Sequence, residues 1–110
     1  MVDLRDYVAA NGHRQFADWF DSLHAEAAAK VIVGLTRMEQ GNFSNTKGVG
    51  SGVHEYKIDF GPGYRIYFGK DGNTIVILLG GGTKKRQKMD IQAAQANWAD
   101  YKKRKKRETR

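Results

Sequence analysis

The stretch GVHEYKIDFGPGYRIYF, residues 52–68, does most to narrow what this chain can fold into. Two runs of alternating apolar and polar residues flank a Gly-Pro-Gly turn. Period-two alternation marks strands with one face buried. A third run, TIVILL, follows KDGN, whose Asp-Gly pair favours a tight hairpin. Residues 53–60, 64–69 and 74–80 are therefore expected as three strands of an antiparallel meander.

Parity then sorts the side chains. Tyr56, Ile58 and Phe60 form an apolar set with Tyr64, Ile66 and Phe68, while Glu55, Lys57 and Asp59 take the opposite face with Arg65 and Tyr67. If helices cover the apolar set, Lys57, Arg65 and Tyr67 stand together on an open face. That face has two readings. It is the wet side of an ordinary sheet, with cross-strand pairs worth roughly a few tenths of a kcal/mol, or it is a cradle for an anion.

Around the meander the periodicity changes. Residues 2–8 are expected to form a short strand. Asn11 is placed to cap a helix in which Phe16, Trp19, Phe20 and Leu23 share a face. A second helix is expected from about Ala25 to Gln40, with Ala28, Val31, Ile32, Leu35 and Met38 as its stripe and Gly41 as its stop. The short link between them makes an antiparallel helix pair. Residues 41–52 read as a loop. Gly80, Gly81 and Gly82 are expected to ease the passage into a last helix striped by Ile91, Ala94, Trp98 and Tyr101. Trp19 and Trp98 fall on helical stripes and are expected in the core. The order β-α-α-β-β-β-α makes an α+β domain, with two N-terminal helices and a C-terminal helix on one face of a small antiparallel sheet.

Charge divides the chain unevenly. Residues 102–110 hold seven cations against Glu108, whereas the first 101 residues carry twelve cations and eleven anions. The chain therefore reads as one domain over residues 1–101 with a basic tail over residues 102–110. Such a tail attracts polyphosphate without regard to sequence, or completes a helix whose C-terminal dipole favours cations. Other chemistry is thinly supported. The absence of cysteine excludes disulfides and thiolate catalysis and fits a cytoplasmic protein. No apolar run reaches transmembrane length and the first residues lack secretory features, so no membrane partner is expected. His13, His24 and His54 are scattered, GGGTKK lacks P-loop spacing, and no G-x-S-x-G elbow occurs. No metal or cofactor is expected. Asp90 reads most simply as a residue that favours a helix N-terminus.

Two longer segments, GVGSGVHEYKIDFGPGYRIYF and TIVILLGGGTKKRQKMDIQAA, carry a resemblance. Across residues 12–100 the chain resembles the addiction-module killer proteins, small toxins of the RelE/ParE superfamily related to HigB-type toxins. The resemblance implies a cognate antitoxin as partner. It also implies one of two activities: metal-independent cleavage of mRNA at the ribosome, or, as in ParE-like members, poisoning of gyrase by binding alone. A third reading is a degenerate module that keeps only antitoxin binding. Arg65 matches the arginine of the family's G-Y-R motif, Lys57 a basic position on the preceding strand, and Lys84 a cation after the last strand. The chain departs at Thr83, where close relatives carry Asp in G-G-D-K-S, and at Asp59, where RelE-like enzymes often have a second lysine.

On the cleavage reading, the ribose 2′-hydroxyl attacks the neighbouring phosphate. Cations aimed at the charge that develops supply most of the rate. Arg65 is expected to hold the scissile phosphate, with Lys84 assisting. Lys57 is expected to take the 2′-hydroxyl proton, and Lys84 or Lys85 to protonate the leaving oxygen. Tyr67 would stack on a base or bond a phosphate, with Asp90 as a further acid–base candidate. Lys85, Arg86, Lys88, Lys102, Lys103 and Arg104 would grip mRNA and ribosomal RNA through charge. Arg65→Ala would cost cleavage about 100–1000-fold with the fold intact.

Overall fold

The three expected strands are present, each slightly displaced, in a computed structural model that describes residues 1–108. In chain order the elements are β1 (Asp3–Asp6), α1 (Gln15–Asp21), α2 (Ala25–Glu39), β2 (Thr46–Gly48), β3 (Val53–Ile58), β4 (Tyr64–Asp71) and β5 (Ile75–Thr83). A 3₁₀ turn (Lys84–Arg86) then leads into α3 (Gln87–Glu108). The class is α+β, as expected, and the arrangement is consistent with a RelE-like fold.

The sheet is mixed rather than wholly antiparallel. Its order is β1-β5-β4-β3-β2, and β1 runs parallel to β5 with Asp3 opposite Ile75 and Asp6 opposite Leu78. The α1–α2 pair and three further strands separate β1 from β5 in the chain, and so long a crossover permits parallel pairing. β2 lies within the segment expected as loop, pairing Thr46 with Tyr56 and Gly48 with His54. Its three residues carry no periodic signal of their own.

The helices divide between the two faces, which corrects the one-faced arrangement. α1 and α2 cover the apolar set: Phe16, Val31 and Met38 pack with Tyr56, Ile66 and Phe68. α3 covers the other face, where Ala94 and Trp98 pack with Val53, Tyr67, Ile77 and Leu79. Parity correctly paired the strand residues. It could not show that the second face carries enough apolar area, from Val53, Tyr67, Ile77 and Leu79, to hold a helix.

Local details follow from close approach. Gly34 faces the sheet, where a Cβ would lie 3.1 Å from Tyr56 Cε1. α2 therefore buries Ala27, Val31, Gly34 and Met38, and Ile32, expected inside, is 51% exposed. α1 begins later than expected, with Arg14 at its N-cap and no side-chain cap, while Asn11 Oδ1 accepts the His13 N–H at 2.9 Å. The glycine run lies inside β5 rather than beyond it. A Cβ on Gly81 would lie 2.2 Å from the Trp19 ring, and one on Gly82 1.9 Å from Asp90 Oδ2. These glycines serve contact, not a turn.

Residues 102–108 continue α3, and Thr109 and Arg110 lie outside the described residues. The far end of α3 is tied down by polar bonds. Tyr101 Oη donates to Asp71 Oδ2 at 2.6 Å, Lys105 Nζ stands 2.5 Å from Asp71 Oδ1, and Tyr7 Oη donates to Asp100 Oδ2 at 2.5 Å. The bonds from Lys105 and Tyr101 hold the Asp71 carboxyl below the usual carboxylate range, and burial with that bond pushes the Tyr101 phenol up to about 12. A depressed folded-state pKa stabilises above the unfolded value, about 3.9, and that stability is lost as pH falls through the folded value. Asp71→Asn should therefore lower Tm at neutral pH, and its gap from the native chain should close below about pH 4. Thermal melts over that range test this; a gap constant with pH would contradict it.

Candidate functional site at the glycine end of the sheet

One row of residues crosses the α3-covered face near the Gly-Pro-Gly turn. Lys57 on β3 lies opposite Arg65 on β4, and Arg65 lies opposite Gly82 on β5. Asp90, from the first turn of α3, reaches down over Gly82. Lys84 follows directly after β5, and its backbone N–H donates to Gly63 O at 3.0 Å. Arg65 Nη1 donates to the same oxygen at 2.8 Å. The three expected cations thus come from the three expected segments to one end of the sheet, with Asp90 beside them.

Their exposure differs sharply. Lys57 has a half-exposed side chain, its Nζ 3.4 Å from Asp59 Oδ1, and Lys84, Lys85, Arg86 and Lys88 are exposed. Arg65 is only 5% exposed, which departs from the open face expected for it. Its Nε stands 3.3 Å from Glu55 Oε1, and Glu55 is itself 1% exposed. Gln87 Nε2 donates to the same carboxylate oxygen at 2.7 Å, and Lys47 Nζ lies 3.8 Å from the other. Glu55 is the functional neighbour that the sequence reading treated only as a wet-face charge. An acid two positions before a strand lysine, on the same parity face as Arg65 and Tyr67, was its available signal.

Tyr67 is withdrawn from RNA contact. Its ring is fully buried beneath α3, beside Trp98, so it cannot stack on a base. Its hydroxyl is buried with no hydrogen-bond partner among the described residues. Burial first, then the Glu55 and Asp90 carboxylates, raise its pKa far above the ordinary phenol value, with Arg65 opposing, so it stays protonated. Arg104 is likewise engaged internally: it donates to Val8 O, pairs with Asp100 at 2.9 Å and lies 5.3 Å from the Tyr7 ring centre. Lys102 and Lys103 are exposed, with Lys102 Nζ 5.7 Å from the Trp98 ring centre.

Asp90 gains weight over its sequence reading. Burial raises its carboxyl pKa against the opposing pull of Arg86. It lines a cleft of about 380 Å³ with His13, Asp18, Trp19, Gly82 and Arg86. The histidines have separate tasks: His24 Nδ1 accepts the Ala27 N–H at 3.3 Å, His54 stacks on Phe68, and His13 Nδ1 lies 3.0 Å from Asp18 Oδ2. Among the described residues no helix is long and apolar enough to cross a membrane.

The α+β fold, with helices on both faces of a mixed sheet, defines the structural class, and comparison with known sequences gives the family. Residues 18–99 match the family described as "Phage derived protein Gp49-like (DUF891)", and the chain belongs to that family. The family is associated with the toxins of toxin–antitoxin systems. An "Uncharacterized protein" of Haemophilus influenzae strain Rd is 40% identical over 80 residues, which cover 72% of this chain and 81% of that relative.

Proposed function

We propose that the chain is the toxin of a type II toxin–antitoxin pair and cleaves mRNA on the ribosome without a metal. The observation that carries this reading is the row Lys57–Arg65–Gly82, with Lys84 and Asp90 at its end. A phosphate set against that row meets the exposed Lys57 and Lys84 side chains above a buried guanidinium. Lys57 acts as the neutral amine: its Nζ takes the 2′-hydroxyl proton and becomes an ammonium, and the freed oxygen attacks phosphorus. The bond to the 5′-oxygen breaks as Asp90 gives it a proton, leaving a 2′,3′-cyclic phosphate. Lys84 stabilises the non-bridging oxygens. Arg65, locked by Glu55 and Gly63, supplies fixed positive potential from below rather than a mobile fork. Lys85, Arg86, Lys88, Lys102 and Lys103 hold the RNA.

The test is ribosome-dependent cleavage of a reporter mRNA, read by primer extension. Lys57→Ala and Lys84→Ala should each lower the rate about 100-fold. Asp90→Asn should do likewise and remove the decline in rate as pH rises through the raised Asp90 pKa. Full activity in all three variants, or inhibition of gyrase supercoiling without any mRNA cleavage, would reject the mechanism.

A further inference from the structure

A second cleft lies on the far side of Lys57. Its volume is about 290 Å³, and it runs between α2 and the outer end of β3. Lys30, Arg37 and Lys57 give it three cations against one acid, Asp59. Between them lie Val33, Ile58 and Phe60. Val33 is 46% exposed and adjoins the exposed Ile32, so α2 presents an aliphatic strip beside a basic groove. β2 pairs with β3 only as far as Tyr56, and the last backbone bond on that side is Lys57 N–H to Asn45 O at 3.1 Å. Among the described residues no strand flanks Ile58 there.

We infer that this groove docks an acidic, aliphatic segment of the antitoxin, and that its occupant takes Lys57 away from RNA. The inference rests on the toxin reading. Charge complementarity favours an anionic occupant, and the wall chemistry favours a peptide over RNA. Val33 in the wall, with Ile58 beneath it, offers packing for Leu or Val side chains but no surface on which a base stacks. The Phe60 ring already carries Lys30 Nζ 5.3 Å from its centre. Because Lys57 lines both this groove and the catalytic row, a carboxylate bound to it competes directly with the scissile phosphate. Neutralisation then needs no change of shape.

The experiment uses three ligands: a synthetic amphipathic leucine–glutamate peptide, its leucine–lysine counterpart, and oligouridylate. Binding is mapped by amide shifts in nitrogen-15 spectra of the full chain. The leucine–glutamate peptide should shift Val33, Arg37 and Phe60 and inhibit cleavage competitively with mRNA; the lysine peptide should do neither. Val33→Asp and, separately, Arg37→Glu should each weaken that peptide about tenfold or more. Both sites are exposed and outside the catalytic row, so cleavage without peptide should persist. The inference is overturned if the acidic peptide leaves those amides unmoved, or if oligouridylate shifts them more strongly and marks an RNA surface. The two readings fail separately. Groove binding in a chain that cleaves no RNA keeps the surface and removes the toxin mechanism; cleavage without groove binding does the reverse.

Discussion

Arg65→Ala is expected to lower folding stability by about 3–5 kcal/mol, a larger effect than a surface cation could have. The variant leaves Glu55 almost wholly buried with its ion-pair partner removed, keeping only Gln87 and the more distant Lys47. An uncompensated buried charge is what makes breaking such a pair costly, whereas replacing both members by apolar groups is often close to neutral. Urea denaturation of Arg65→Ala, and of a double variant with Arg65→Met and Glu55→Leu, separates the two cases. The double variant should recover most of the loss. An unchanged midpoint in Arg65→Ala would show that the pair contributes nothing. The expectation that alanine here removes cleavage and spares the fold is thereby revised: lost activity in that variant does not by itself report chemistry, and Lys57 and Lys84 are the cleaner reporters.

Gly81→Val is expected to be comparably damaging for a different reason. A Cβ at this position would sit 2.2 Å from the Trp19 ring, which packs on the core beside Phe16 and Tyr64. Trp19 would have to leave its site and carry α1 with it. Losing a packed tryptophan costs about 3–5 kcal/mol, enough to unfold much of a domain of ordinary stability. Gly48→Ala is the control, since nothing lies within 4 Å of its Cβ position. Calorimetry should show Gly81→Val largely unfolded and Gly48→Ala near native; equal Tm values would refute the packing role. Gly82→Ala falls between, because its Cβ meets the end of the Asp90 side chain rather than a ring.

The meander, both N-terminal helices and the stripe of α3 were legible because each rests on periodicity. Alternation placed Lys57, Arg65 and Tyr67 on one face without coordinates. What alternation cannot express is whether a face is covered. Arg65 and Tyr67 look the same in sequence whether they meet water or α3, and only the joint presence of Val53, Ile77 and Leu79 on that side signals a second core. The buried Glu55–Arg65 pair was missed for the same reason. β2 escaped because three residues are too few for a period. The parallel placement of β1 escaped because partner choice at a sheet edge leaves no mark within the strand itself. The GGG run was expected to ease the passage into the last helix, since a glycine needed for neighbour clearance is indistinguishable in sequence from one needed for backbone freedom.

The carbonyl oxygen of Gly63 receives both the Arg65 guanidinium and the Lys84 amide. One guanidinium and the backbone of a second cationic residue, nineteen positions apart in the chain, are thereby moored to a single atom of a tight loop. Any tilt of that loop carries both anchorage points together and leaves their mutual spacing nearly constant. Re-aiming that end of the sheet therefore asks for a change in the loop alone, since the guanidinium and the start of the 3₁₀ turn travel with it.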